Sequence, residues 1–159
     1  GAAQALERAR GARDLVQPDE LDTAYGGILS FSPAKENYYA SGTWVAIEDG
    51  IRTRQAAEAS IRAYQAGPAE DRARDNEALA QINIAIAHVL DDDLEAAQAA
   101  LALALELPAE LHITNVSAQL RRLYDRVTQR RYDGSGPAAT IRDHIEHHLS
   151  TTHPTLPPG

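Results

Sequence analysis

The chain has no cysteine and no methionine, and only one lysine, one phenylalanine and one tryptophan. Without cysteine there is no disulfide, no thiol nucleophile and no Cys-based zinc site. Aromatic residues make up 5% of the 159 positions, and β-branched runs are scarce. A sheet wants the opposite balance. No apolar run approaches the ~18 residues that a membrane span needs. No apolar stretch of the kind found in a signal peptide lies between Gly1 and Asp14, so a cytoplasmic location is expected. With no methionine even at position 1, the chain is expected to be a processed product or a piece of a longer one. Positive charge is also short: 15 Lys and Arg stand against 23 Asp and Glu, a net charge of −8. Affinity for nucleic acid comes from clustered Lys and Arg, so no nucleic-acid contact is expected through this segment.

What is present is alanine, within a hydrophobic share of 43% that can build a core. Alanine is the best helix former, because it loses no side-chain entropy. The segment Ala2 to Asp14 reads as the end of a helix. Pro18 opens a short one, which Gly26-Gly27 breaks. Ser32 caps a helix from Pro33 to about Glu48, followed by an Asp49-Gly50 turn. Further helices are expected from Thr53 to Ala66, Ala69 to Leu90 and Leu94 to Leu107, the last capped by Asp93. Ile84 and Ala85 lie off the stripe of Leu79, Ile82, Ile86 and Val89. A helix apolar on more than one side packs between neighbours. Ile113, Val116, Leu120, Leu123 and Val127 step by three and four, which is helical periodicity. Tyr132 to Pro137 reads as a loop, and Ile141, Ile145 and Leu149 form the last stripe.

These segments form three helix pairs after an N-terminal helical lead-in, recurring about every 40 residues. Short connections make neighbours antiparallel, and repetition on this scale signals a helical solenoid. The expected organisation is one domain over residues 1–149 and a Pro-rich, unstructured tail over 150–159.

The run Asp93-Leu94-Glu95-Ala96-Ala97, with Leu101, Ala104 and Pro108, resembles the second half of a tetratricopeptide repeat. The resemblance implies an all-α, short right-handed solenoid of antiparallel helix pairs. A second resemblance is broader. Pro18-Asp19-Glu20-Leu21-Asp22, Gly26-Gly27-Ile28-Leu29-Ser30-Phe31, Ala34-Lys35-Glu36-Asn37-Tyr38-Tyr39-Ala40 and Leu120-Arg121-Arg122-Leu123 look like the C-terminal helical region of actinobacterial helix-turn-helix regulators. That resemblance implies the regulatory part of a transcription regulator, whose DNA-binding domain lies N-terminal to this segment.

Candidate site residues follow from placement. Tyr38, Tyr39 and Trp44 cluster on the first helix of the first pair, with Trp44 expected in the core. In the repeat register, Glu36, Tyr39 and Thr43 face a concave groove. Asn83 and His88 are polar positions within an apolar helix. Arg122, Arg126 and Arg130 share a face by four-residue spacing, and Arg122 is the groove candidate among them. His144 and His148 lie one turn apart, a spacing that can hold a metal. Their expected role is nonetheless the polar outer face of a terminal helix. No Ser-His-Asp order, phosphate loop or paired catalytic carboxylates are found. The expectation is a non-catalytic module without metal or cofactor, binding a protein, a peptide or a small ligand. A stand-alone scaffold and a homodimer are the alternatives.

Overall fold

The computed structural model describes residues 2–4, 32–69, 73–106 and 114–152. Among the described residues it is all-helical, with six full α-helices, one 3-10 turn and no strand. The helices are α1 (Pro33–Ala46), α2 (Gly50–Ala66), α3 (Arg74–Leu90), α4 (Leu94–Leu105), α5 (Thr114–Val127) and α6 (Gly136–Thr152). Residues 2–4 are also helical, but the rest of the expected lead-in, with the helix at Pro18 and the Gly26-Gly27 break, lies outside the described residues. So do Leu107, Pro108, Ile113 and residues 153–159 of the expected tail.

Local chemistry sets the helix starts. The Ser32 hydroxyl accepts from the Lys35 N–H at 3.2 Å, and Pro33 opens α1 where a missing N–H costs nothing. Asp49 accepts from the Arg52 N–H at 2.9 Å, so α2 begins at Gly50, three residues before the expected Thr53. Asp93 does the same for α4 at 3.1 Å, through the Ala96 N–H. By contrast α3 begins at Arg74, later than expected, and its N-cap Ala73 offers no side-chain acceptor. The expected loop from Tyr132 to Pro137 is partly helix. Arg130–Tyr132 form a 3-10 turn, and α6 starts at Gly136 with the Ser135 hydroxyl accepting from the Ala138 N–H. The same helix runs to Thr152, past the expected tail boundary at 150.

The α1–α2 and α3–α4 connections share one build. Ile47 and Asp91 close helices, Glu48 and Asp92 follow with φ of 60° and 59°, and Asp49 and Asp93 cap the next helix. A left-handed residue between a helix end and a cap reverses the chain in three residues. Gly50 lets the start of α2 approach the end of α3 closely. A Cβ on it would lie 3.1 Å from the Ala87 carbonyl oxygen and 3.1 Å from Asp91 Oδ1.

The central helix is α3, packed against α1, α2, α4 and α5. Ile82, Asn83, Ile84, Ala85, Ile86, Ala87 and Val89 are all buried, as expected of a helix apolar on several sides. One apolar core runs from Val45 on α1 through Ala57, Ile82, Leu101 and Leu120 to Ile145 on α6. Each large side chain buried there is worth about 1.5–3 kcal/mol. Trp44 is buried in a smaller cluster with Ala40 and Ala56, against which Ala3 packs. The helices α1, α3 and α5 lie side by side, with α3 in the middle. Among the described residues no helix is long and apolar enough to cross a membrane.

Candidate functional site

The middle position of α3 creates a groove above it, walled by α1 and α5. Tyr38, Tyr39, Gly42, Val45 and Ala46 form one wall, spaced as a single face of α1. Asn115, Ala118, Gln119, Arg122 and Arg126 form the other, again one helical face. Leu79 and Asn83 of α3 supply the floor, and the cavity measures about 570 Å³. A Cβ at Gly42 would meet nothing within 4 Å, so this glycine leaves the α1 wall open.

A chain of hydrogen bonds crosses beneath the groove. Arg122 Nη1 donates to Gln119 Oε1 at 3.0 Å, and Gln119 Nε2 donates to Asn83 Oδ1. Asn83 Nδ2 then donates to the Ser41 hydroxyl at 2.9 Å, which donates to the Tyr38 carbonyl at 2.6 Å. Ser41, Asn83 and Gln119 are all buried, so each amide needs its partners. Every donor points the same way along the series, and bonds in series polarise one another. Reversing either amide would set donor against donor. The series therefore fixes both amides and holds the Arg122 guanidinium at the groove wall.

The second cation on that wall has a different partner. Arg126 Nη1 lies 3.4 Å from Glu48 Oε1, across 78 residues of sequence. Among the described residues no carboxylate lies within ion-pairing distance of Arg122. On the facing wall the Tyr38 and Tyr39 rings lie 5.2 Å apart at 44°. Burial, then the neighbouring Tyr39, Asp75 and Tyr64, raises the Tyr38 phenol above its usual value, so it stays a neutral donor.

The sequence-derived candidates divide in space. Tyr39, Asn83 and Arg122 meet at the groove. Thr43 turns its hydroxyl back to the Tyr39 carbonyl at 3.2 Å, and neither it nor half-buried Glu36 lines the cavity. His88 lines a separate cavity of about 430 Å³ on the other side of α3, with Ile61 and Arg62 of α2 and Ala96, Ala100 and Leu103 of α4. Gln119, Asn115 and Arg126 were missed as groove residues. Their signal was the spacing 115, 119, 122, 126, a polar stripe beside the apolar stripe of α5. On α6, His144 is exposed and His148 half-buried, and among the described residues no three His, Asp or Glu side chains gather as a metal site would require.

Comparison with known proteins found no matching family model, no matching curated protein and no matching solved structure.

Proposed function

We propose that the chain is a non-catalytic binding module that receives a peptide, a protein segment or a small ligand in the α1–α3–α5 groove. The observation that carries this reading is the buried series from Tyr38 to Arg122, which crosses three helices to fix one cation at a cavity wall. Buried polar groups are costly unless fully satisfied, and here the satisfied set ends at an open surface. The cavity has the size of ordinary small-ligand sites, roughly 300–1,000 Å³. Its side chains are amides, phenols and guanidinium groups, which orient and neutralise a ligand. The helix pairs are read as tetratricopeptide-like, and the two connections of identical build support repetition. The regulatory role, as the ligand-sensing part of a transcription regulator, rests on the resemblance of Pro18–Asp22, Gly26–Phe31 and Leu120–Leu123 to actinobacterial regulators.

The test is a fragment screen followed by NMR mapping on the isotope-labelled chain. Ligands should shift the side-chain amide signals of Asn83, Asn115 and Gln119. Gly42→Phe, placed where there is open space, should abolish those shifts and leave the fold intact. Shifts confined to other surfaces, or indifferent to Gly42→Phe, would overturn the reading.

A second copy of the chain is the rival occupant, at the cavity beside α4. Leu103 is exposed there next to Ala96, Ala99 and Ala100. Glu58 and Arg62, one turn apart at its rim, could pair reciprocally across a twofold axis. Light scattering on the chain and on Leu103→Asp decides it. A dimer that Leu103→Asp splits supports the rival, and a monomer at high concentration removes it.

A further inference from the structure

We propose that the groove is a site for a small organic anion, a carboxylate or phosphate monoester on an aromatic body, and that Glu48 holds Arg126 until this anion displaces it. The inference rests on the groove reading and adds the ligand's chemistry and an internal competitor.

Among the described residues no Asp or Glu lines the cavity, although the chain carries a net charge of −8. Two arginines line it, one helical turn apart on α5. An anion placed between them meets two planar donor forks, which suit carboxylate and phosphate oxygens. Their present partners differ in kind. Gln119 orients Arg122 but carries no charge, so among the described residues that cation is uncompensated. Of the five N–H donors of a guanidinium, one is committed there.

Arg126 is compensated by Glu48, but weakly. The pair makes one contact at 3.4 Å, longer than the roughly 2.7–2.9 Å of a good charge-assisted bond. The Glu48 side chain is 68% exposed and that of Arg126 is 23% exposed. Glu48 belongs to no helix and stands in the turn after α1. A single long contact to a largely exposed carboxylate is a weak pair, so it yields to an anion that engages both arginines. The equivalent turn residue behaves otherwise. Asp92 accepts from the buried Tyr132 hydroxyl at 2.7 Å and so has a structural role that Glu48 lacks.

The facing wall selects the body of the ligand. Tyr38 and Tyr39 present two tilted rings opposite the cations, which suits an aryl group. A cavity of about 570 Å³ holds a small molecule of this kind.

The experiment is calorimetric titration of the full chain with phenyl phosphate, phenylacetate and inorganic phosphate, at low and high ionic strength. One or both aryl anions should bind, with the stronger of the two naming the head group, and inorganic phosphate should bind more weakly. Glu48→Gln should tighten binding by about two- to fivefold, the weight of an exposed ion pair, with thermal stability nearly unchanged. Arg122→Gln and Arg126→Gln should each weaken binding by about tenfold or more. Arg122→Lys should recover only part of the loss. High salt should weaken binding to the parent chain. Glu48→Gln that leaves affinity unchanged or lowers it overturns the competitor. Inorganic phosphate binding as well as the aryl anions overturns the aromatic body. Neutral fragments in the groove without aryl anions overturn this inference alone. A groove that takes no ligand overturns the binding reading with it.

Discussion

At the residue scale, two buried polar side chains carry more than their own helices. Asn83 joins α1 to α5 through Ser41 and Gln119. Asn83→Ala leaves the buried Gln119 amide without its acceptor and the Ser41 hydroxyl without its incoming donor, at an expected cost of about 1–3 kcal/mol in urea unfolding. It also releases Gln119, so Arg122 loses its fixed orientation and groove binding should fall in parallel. Asn83→Asp keeps the acceptor for Gln119 but removes the donor to Ser41 and buries a charge, so it should not rescue stability. Tyr132 is the second case. Its hydroxyl hydrogen serves the Val89 carbonyl at 3.0 Å and Asp92 Oδ1 at 2.7 Å, with Arg131 stacked 4.8 Å over the ring. Burial, then the bond to Asp92, pushes this phenol up from 10.0 to about 12. The folded state thus holds the proton more tightly than the unfolded chain. The stabilisation is complete below the unfolded value of 10.0 and is lost as pH rises through about 12. Unfolding midpoints measured across that window should drop, and Tyr132→Phe should flatten this dependence while costing about 1–3 kcal/mol at neutral pH.

At the scale of the element, the helix starts are unequal. Four helices follow a Ser or Asp whose side chain accepts a backbone N–H, whereas Ala73 stands before α3. Its backbone there is extended, at φ −89° and ψ 90°, as an N-cap requires. Ala73→Ser should therefore stabilise the chain by about 0.5–1 kcal/mol, and Asp93→Ala should destabilise it by about 1 kcal/mol. Chemical denaturation reads both. A loss of stability in Ala73→Ser would mean that the start of α3 is not set by a cap. The ends of α5 and α6 are tied differently, by Tyr124 donating to Glu146 at 2.6 Å and Arg142 Nη1 donating to the Val127 carbonyl at 3.0 Å.

At the scale of the whole molecule, one apolar core reaches all six helices, and α3 touches four of the other five. Displacing α1, α2, α4 or α5 from that core exposes α3. Unfolding should therefore be a single cooperative transition. Trp44 gives a local check, since it sits in the smaller cluster with Ala40 and Ala56. Its fluorescence and the far-ultraviolet circular dichroism should change together in denaturant. An earlier fluorescence transition would show that the α1–α2 edge unfolds by itself.

The helices were legible in the sequence because their causes are local. The caps at Ser32, Asp49 and Asp93, the stripe of α5 and the two-sided apolar pattern of α3 each involve residues within a few turns. The start of α3 was misplaced because its cap is an alanine, which leaves no local mark. For the groove, sequence supplied Tyr39, Asn83 and Arg122 as separate polar or aromatic oddities, along with Glu36, Thr43 and His88, which stand elsewhere. Only the tertiary structure brought Ser41, Asn83 and Gln119 together, across 42 and 36 residues. Periodicity states which face of a helix is polar, but not which neighbour that face meets. That pairing follows from α3 packing between α1 and α5, and so depends on the shape of the whole core.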